Sequence, residues 1–255
     1  MRQPSRSRTA QRPSAAVIAA TGSTCYNSRM GQEELSEQEA RLADARAGIS
    51  TGRAFDRMIN MSDAIVAVAM TVNVLTIVDI QRTSQSESVF ELVKTHIGQI
   101  GSFCFTFLIV GVMWLAHNRI LNRMRGYDQT IFRLNLVWLL LIVLLPWPST
   151  MYGISLVFGR SGAVSDHAGV GMFYWGTLAA ISALGALIGL HARRRPALLD
   201  PSHPPDSRGL KRGWTFAGFF LLIGVVSMFA PHVATWLPLG LIVLSLIFGR
   251  TKVSA

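Results

Sequence analysis

The feature that most constrains this chain is an apolar segment, residues 57–78, that is long enough to cross a lipid bilayer and yet contains polar side chains. It reads RMINMSDAIVAVAMTVNVLTIV, with an ionisable Asp63 near its start and Thr71, Asn73 and Thr76 further along. Polar groups are costly in hydrocarbon unless they face protein or water. A helix that serves only as an anchor has no need of them. The segment therefore predicts a first membrane helix that lines a pore or an ion pathway.

The composition of the whole chain is that of an integral membrane protein. Its 255 residues are 50% hydrophobic and only 15% charged, whereas soluble domains carry about 25% charged residues. The net charge of +10 would also suit a nucleic-acid-binding protein. However, the basic residues stand at the ends of apolar segments, which is the distribution that membrane topology produces. We therefore predict a membrane protein with no nucleic-acid partner.

Six apolar runs are long enough, or nearly so, to cross the membrane. Prolines at 146 and 148 are expected to end or kink the helix in the third run, and Pro231–His232 divides the last apolar stretch in two. Those last two runs are short for a bilayer core of about 30 Å, so a re-entrant segment is the alternative to a helical hairpin. We place the runs at about residues 58–78, 97–116, 132–158, 170–190, 214–229 and 233–249.

The basic residues of the loops alternate along the chain and predict the orientation. Arginine and lysine are frequent before the first run, between the second and third, between the fourth and fifth, and in the C-terminal tail. The loop between the third and fourth runs carries only Arg160, and the turn between the fifth and sixth carries neither residue type. The positive-inside rule then places both termini in the cytoplasm. The predicted fold class is an all-α integral membrane protein with six transmembrane helices.

The N-terminal part of the chain differs from the rest. Residues 2–14 are basic and rich in serine and proline, which is typical of disorder. Residues 32–47 are rich in helix formers, acidic first and basic later, and predict a short surface helix. We therefore divide the chain into a disordered or short-helical cytoplasmic segment (1–50), a six-helix transmembrane domain (53–250) and a C-terminal tail (251–255).

Two features of the first helix have a functional and a structural interpretation. Val68, Thr71, Leu75 and Val78 follow an i, i+3, i+7, i+10 spacing and share one face. That face either lines a pore or is an ordinary packing face in which Thr71 bonds to its own helix carbonyls. Asp63, beside a serine, either belongs to the ion pathway or caps the N-terminus of the helix.

Motifs of common enzymes and of classical potassium channels are absent from the sequence. There is no GxSxG, no HExxH and no glycine-rich phosphate loop. The histidines lack the spacing of a metal site, and the TVGYG carbonyl filter is missing. We therefore expect no enzyme activity, no bound metal and no cofactor.

A resemblance to a known family rests on three groups of residues. Arg57-Met-Ile-Asn-Met-Ser62-Asp63 resembles the RxxxFSD signature of the endosomal/lysosomal potassium channel family (transmembrane protein 175) in its prokaryotic single-repeat form, with Met61 in place of the phenylalanine. The similarity continues in Trp114-x-x-His117 at the end of the second run, and in Asn135 and the Pro-Trp-Pro stretch of the third. It covers roughly residues 53–250 and is strongest over 53–152.

The resemblance implies a specific function. It implies a potassium-permeable cation channel in the plasma membrane, a homotetramer with the first helix around the pore, and K⁺ as the permeant ion. A hydrophobic constriction on the first helix, with a hydroxyl layer, would replace the carbonyl filter, at Val68, Thr71 and Leu75. A structural polar network behind the pore is implied for Arg57, Ser62, Asp63, Trp114, His117 and Asn135.

Two other functions remain open at this point. One is a proton-coupled secondary transporter that uses Asp63 and His117 as a relay. Carriers usually contain internal repeats, and no convincing repeat relates residues 53–158 to residues 170–250. The other is a membrane scaffold that conducts nothing, which a monomeric protein would favour.

Overall fold

The computed structural model describes residues 32, 35–36, 38–78, 88–158, 167–202, 207–230, 237 and 240. The chain divides into two compact units, one up to Gly48 and one from Ile49 onwards. In the first unit, residues 38–46 are helical, within the stretch for which the sequence predicts a short helix.

The second unit is mostly helical. Its two short strands, β1 (Ser50–Thr51) and β2 (Gly126–Tyr127), pair antiparallel. A short 3₁₀ helix covers Pro196–Leu198. The α-helices are α1 (Arg53–Val72), α2 (Leu75–Val78), α3 (Val89–Thr95), α4 (Ile97–Leu121), α5 (Gln129–Leu144), α6 (Pro146–Phe158), α7 (His167–Arg194) and α8 (Ser207–Phe229).

Within the described residues, five helical segments are long and apolar enough to cross a membrane. The chain is thus a multi-pass membrane protein, as predicted. The sixth predicted span, residues 233–249, lies almost entirely outside the described residues. The five segments are Arg53–Val78, Ile97–Leu121, Gln129–Ser155, Ala168–Arg194 and Ser207–Phe229.

The first span begins earlier than predicted. It starts at Arg53 after Gly52, whose φ of 60° is a conformation that glycine adopts readily. Asp63 therefore lies in the middle of α1, where no N-terminal N–H groups are free. The N-cap interpretation of Asp63 is wrong for this reason. The span is also interrupted at Asn73, where α1 ends before the short α2.

The third predicted run is divided where the prolines predicted a break. α5 ends at Leu144 and α6 begins at Pro146, because proline lacks an N–H but fits the first turn of a helix. The prediction that the fifth run is short is wrong. α8 spans 23 residues, about 34 Å at 1.5 Å per residue, because the helix already begins at Ser207, in the polar segment that precedes Trp214.

Aromatic side chains fill the centre of the helical bundle. Trp138 on α5, Tyr174 and Trp175 on α7, and Phe220 on α8 are all buried. α7 and α8 approach closely at Gly224, where an added Cβ would lie 3.3 Å from the Trp175 Cβ. Such tight packing of helices around small residues is common in membranes.

The arginine-rich end of the bundle is closed by loop contacts. The Arg125 side chain donates to the Ala197 carbonyl at 2.7 Å, and Met124 forms an isolated β-bridge with Leu199. A Cβ on Gly126 would lie 2.7 Å from the Ser50 carbonyl oxygen, so the β1–β2 pairing requires glycine there. These contacts join the segment before α1 to the α4–α5 loop, and that loop to the 3₁₀ segment after α7.

Asp128 lies at the same end and caps α5. Its Oδ1 accepts from the Ile131 N–H at 2.9 Å, and its Oδ2 accepts from His191 at 2.8 Å and Arg195 at 3.1 Å. Burial alone would raise the pKa of this carboxyl. The hydrogen bonds from His191 and Ile131, with the charges of His191 and Arg195, instead hold the pKa of Asp128 below its ordinary value of 3.8.

Asp128→Ala is expected to lower the free energy of unfolding by about 1–2 kcal/mol near neutral pH, because the N-cap of α5 is lost. A carboxyl with a lowered folded-state pKa stabilises above its unfolded pKa. The deficit of the variant should therefore be constant above pH 3.8 and shrink as the pH falls below that value. Thermal unfolding of the variant and of the parent chain in detergent, at a series of pH values, measures this difference in free energy.

The matched control for this prediction is Asp56→Ala, which removes an exposed carboxylate from the first turn of α1. A surface substitution of this kind should change the free energy of unfolding by less than about 0.5 kcal/mol. Equal deficits for the two variants at every pH would contradict the role given to Asp128.

Candidate functional site

A directional chain of hydrogen bonds connects α4, α5 and α1. The His117 Nε2 donates to the Asn135 Oδ1 at 2.9 Å, and the Asn135 Nδ2 donates to the Ser62 Oγ at 2.9 Å. The Ser62 hydroxyl in turn donates to the Met58 carbonyl at 2.9 Å. The side chains of His117, Asn135 and Ser62 are buried. Because a carbonyl oxygen only accepts, the first bond fixes the proton of His117 on Nε2.

Asp63 and Trp114 form a separate contact between α1 and α4. The Trp114 Nε1 donates to the Asp63 Oδ1 at 2.7 Å. His117, one turn further along α4, stacks on Trp138 of α5, with ring centroids 3.9 Å apart and planes 6° from parallel. The first contact joins α1 to α4, and the second joins α4 to α5.

Arg57 behaves differently from the rest of the predicted polar network. Its side chain is exposed, and no hydrogen bond or ion pair to it occurs in the described part of the chain. The structure thus brings five of the six network residues into two bonded groups and leaves Arg57 outside both. Their functional role stays a prediction.

The opposite face of the first span is largely exposed in the described part of the chain. Val68, Leu75 and Val78 are 60%, 59% and 57% exposed. Thr71 is exposed as well, and its hydroxyl donates to the Val68 carbonyl at 2.7 Å. The bond of Thr71 to its own helix agrees with the interpretation of this face as an ordinary packing face. The exposure of its side chains disagrees with that interpretation, because a packing face within the chain would be buried. This face is free to meet another subunit, lipid or water.

A second buried polar cluster, which was not predicted, lies inside the bundle. The Thr106 hydroxyl lies 2.8 Å from the Ser149 Oγ and 2.7 Å from the Tyr174 hydroxyl. Ser102 donates to the Ser149 carbonyl at 3.1 Å. These hydroxyl groups join α4, α6 and α7 inside the bundle. The i, i+4 spacing of Ser102 and Thr106 within an apolar helix is the one sequence signal that could have revealed them.

Comparison with known proteins finds a matching family model for part of the chain. The model of the family "Endosomal/lysosomal potassium channel TMEM175" matches residues 57–146. The predicted resemblance is confirmed. The matched region runs from α1 to the first residue of α6 and contains both bonded groups described above. Met61, which replaces the phenylalanine of the signature, is partly buried against the core cluster of the bundle, so an apolar side chain still fills that place.

Relatives of this chain are channels from bacteria and animals. A potassium channel of Streptomyces collinus is 24% identical over 69% of this chain and 84% of its own length. The human endosomal/lysosomal proton channel TMEM175 is 33% identical over 42% of this chain. The chain covers 21% of that human protein.

A solved structure shares the fold. The crystal structure of a lysosomal potassium-selective channel TMEM175 homolog from Chamaesiphon minutus aligns with a TM-score of 0.62 and 19% identity. The alignment covers 80% of this chain and all of that one. The helical architecture described here is therefore a TMEM175 channel fold.

Proposed function

We propose that the chain is one subunit of a potassium-permeable cation channel without a TVGYG filter, in which Val68, Thr71 and Leu75 of the first span restrict the ion path. The observation that carries this proposal is the exposed apolar face of α1 and α2. The name of the Streptomyces relative, a potassium channel that the chain covers over most of its length, supports the choice of ion.

The two faces of the first span differ in burial, as the wall of a pore requires. Ser62, Val66, Ala69 and Asn73 are buried at i, i+4, i+7 and i+11 and face the bundle. The exposed face carries apolar side chains and one hydroxyl, that of Thr71, which is already bonded. A narrow ring of such side chains restricts ions because water leaves it easily.

The proposal includes an assembly around that face. Four copies would bring four first spans to a common axis, with both termini in the cytoplasm and the protein in the plasma membrane. Its partners are then identical subunits, the lipid bilayer and K⁺ as the permeant ion, without a cofactor. The described network behind α1 would hold each first span at a fixed distance from the axis.

Proton movement is the second candidate function, because the animal relatives are named proton channels. Protons and K⁺ would share the path along α1. A proton-coupled carrier that relays through Asp63 and His117 has less support. Asp63 accepts from Trp114 and His117 donates to Asn135, so the two residues of such a relay belong to separate bonded groups.

Purified protein in proteoliposomes tests the proposal. We expect potassium flux that rises linearly with the gradient and a tetrameric mass in detergent. A proton-sensitive dye in the same vesicles measures the second candidate. A well-folded tetramer that passes no potassium would contradict the proposal. Saturating flux with counterflow would indicate a carrier, and a non-conducting monomer would indicate a scaffold.

A further inference from the structure

The first span changes its helix type where α1 meets α2. Asn73 has φ −56° and ψ −24°, values typical of a 3₁₀-helix. Three bonds here run from residue i to i−3: the N–H of Val74 to Thr71, that of Thr76 to Asn73, and that of Ile77 to Val74. The backbone is therefore wound more tightly here than in the α-helix before it.

Asn73 is the residue that accounts for this change. Its side chain is buried, and its Nδ2 donates to the Phe103 carbonyl of α4 at 3.3 Å. Asparagine has a low helix propensity because its amide competes for backbone partners. Here the amide bonds to a neighbouring helix and fixes the end of α1 against α4.

Two side-chain bonds show that α1 and α4 run antiparallel. From the Asp63–Trp114 bond to the Asn73–Phe103 bond, the residue number rises on α1 and falls on α4. One turn beyond Asn73 lies Thr76, and one turn before Phe103 lies Gln99. The Oδ1 of Asn73 and the side-chain oxygens of Thr76 and Gln99 are buried without a hydrogen-bond partner among the described residues.

α2 packs against both α4 and α6. Among the described residues from Asn73 to Val78, the bond of Asn73 to Phe103 is the side-chain hydrogen bond that reaches a neighbouring helix. Its loss therefore removes the directional contact at the break.

Leu75 follows the break by two residues, and its direction depends on the helix type. A 3₁₀-helix turns about 120° per residue and an α-helix about 100°. Straightening the segment from Asn73 would therefore rotate Leu75 by about 40° relative to Val68, which lies before the break. In a continuous α-helix the i, i+3, i+7 spacing places Leu75 between Thr71 and Val68. The break therefore turns Leu75 away from Thr71, and straightening would turn it back.

We propose that Asn73 is a positioning residue that, through its bond to Phe103, holds the break in the first span and thereby sets the direction of Leu75 relative to Val68 and Thr71 in the ion path. This inference rests on the proposed function, since it assumes that Leu75 lines the pore. Asn73 itself lies on the bundle side of the helix and touches no permeating ion.

Cysteine accessibility tests the inference. Single cysteines at Leu75 or Val68 are placed in a Cys25→Ser, Cys104→Ser chain in proteoliposomes, and a charged methanethiosulfonate reagent measures their exposure to water. Asn73→Leu should change the modification rate at L75C by about fivefold, the effect of one hydrogen bond of about 1 kcal/mol. The rate at V68C should change by less than about twofold.

Two variants complete the design. Asn60→Leu makes the same replacement on the exposed side of α1 and should alter neither rate. Asn73→Ala, which also removes the bond, should act like Asn73→Leu and guards against a clash of the larger side chain. Size-exclusion chromatography reports the assembly of every variant.

The outcomes separate this inference from the proposed function. Assembled Asn73 variants with an unchanged rate at L75C would overturn the inference and leave the channel intact. An L75C side chain that never reacts in the parent chain would contradict the pore face itself. Loss of assembly in both Asn73 variants, but not in Asn60→Leu, would replace positioning with a role in folding.

Discussion

Leu75→Ala is expected to raise potassium flux through the assembled protein by about tenfold, which corresponds to a barrier lower by about 1.4 kcal/mol. A hydrophobic constriction blocks ions because water withdraws from it. Alanine shortens the side chain in every subunit, so the ring widens and stays wet. Val68→Ala should act in the same direction with a smaller effect, since valine loses less of its side chain. Initial flux rates in proteoliposomes at matched protein density measure both.

The control for the constriction is Leu140→Ala. Leu140 on α5 is 64% exposed, against 59% for Leu75, so the two substitutions remove the same atoms from similarly exposed sites. Only Leu75 lies on the first span. Flux that rises equally in both variants would mean a general loosening of the protein, and unchanged flux in Leu75→Ala would remove this residue from the ion path.

The second large effect is expected at Asn135. Asn135→Leu should lower the free energy of unfolding by about 2–4 kcal/mol, because it leaves the His117 Nε2 and the Ser62 hydroxyl without their partner. Both groups are buried, and leucine has as many side-chain heavy atoms as asparagine, so lost volume is not the cause. For a chain of this length we expect a decrease of about 5–15 °C in unfolding temperature in detergent.

Asn122→Leu is the matched replacement. Asn122 lies just after α4, exposed, and donates to Asn118 at 2.7 Å, so its loss should change the free energy of unfolding by less than about 0.5 kcal/mol. If Asn135→Leu unfolds at the same temperature as the parent chain, the bonds from His117 to Asn135 and on to Ser62 do not stabilise the bundle.

Much of the architecture could be predicted because hydropathy is a local property. Each apolar run is long enough to satisfy its own backbone as a helix in the bilayer, and Pro146 breaks the third run for a reason contained in the residue itself. Five described spans follow this pattern. The boundaries were less accurate: the start at Arg53 depends on Gly52 and on the paired strands, which contain residues far apart in sequence.

For the candidate site, only the set of residues could be predicted from the sequence, and not the contacts between them. The sequence motifs around the site resemble those of a known family, and such a resemblance identifies residues without stating which of their atoms are in contact. The residues are Ser62, Asp63, Trp114, His117 and Asn135. The structure separates Asp63–Trp114 from the bonds of Ser62, Asn135 and His117, and it leaves Arg57 exposed.

The sequence by itself determined that this is a multi-pass helical membrane protein whose first span has a polar and an apolar face. Only the tertiary structure decided which face is buried, that Asn135 bonds to residues 18 and 73 positions away, and that Asn73 reaches Phe103 on a neighbouring helix. The reason is physical. Whether a segment spans the membrane depends on its own hydropathy, whereas a hydrogen bond depends on the angle and rotation at which two segments meet.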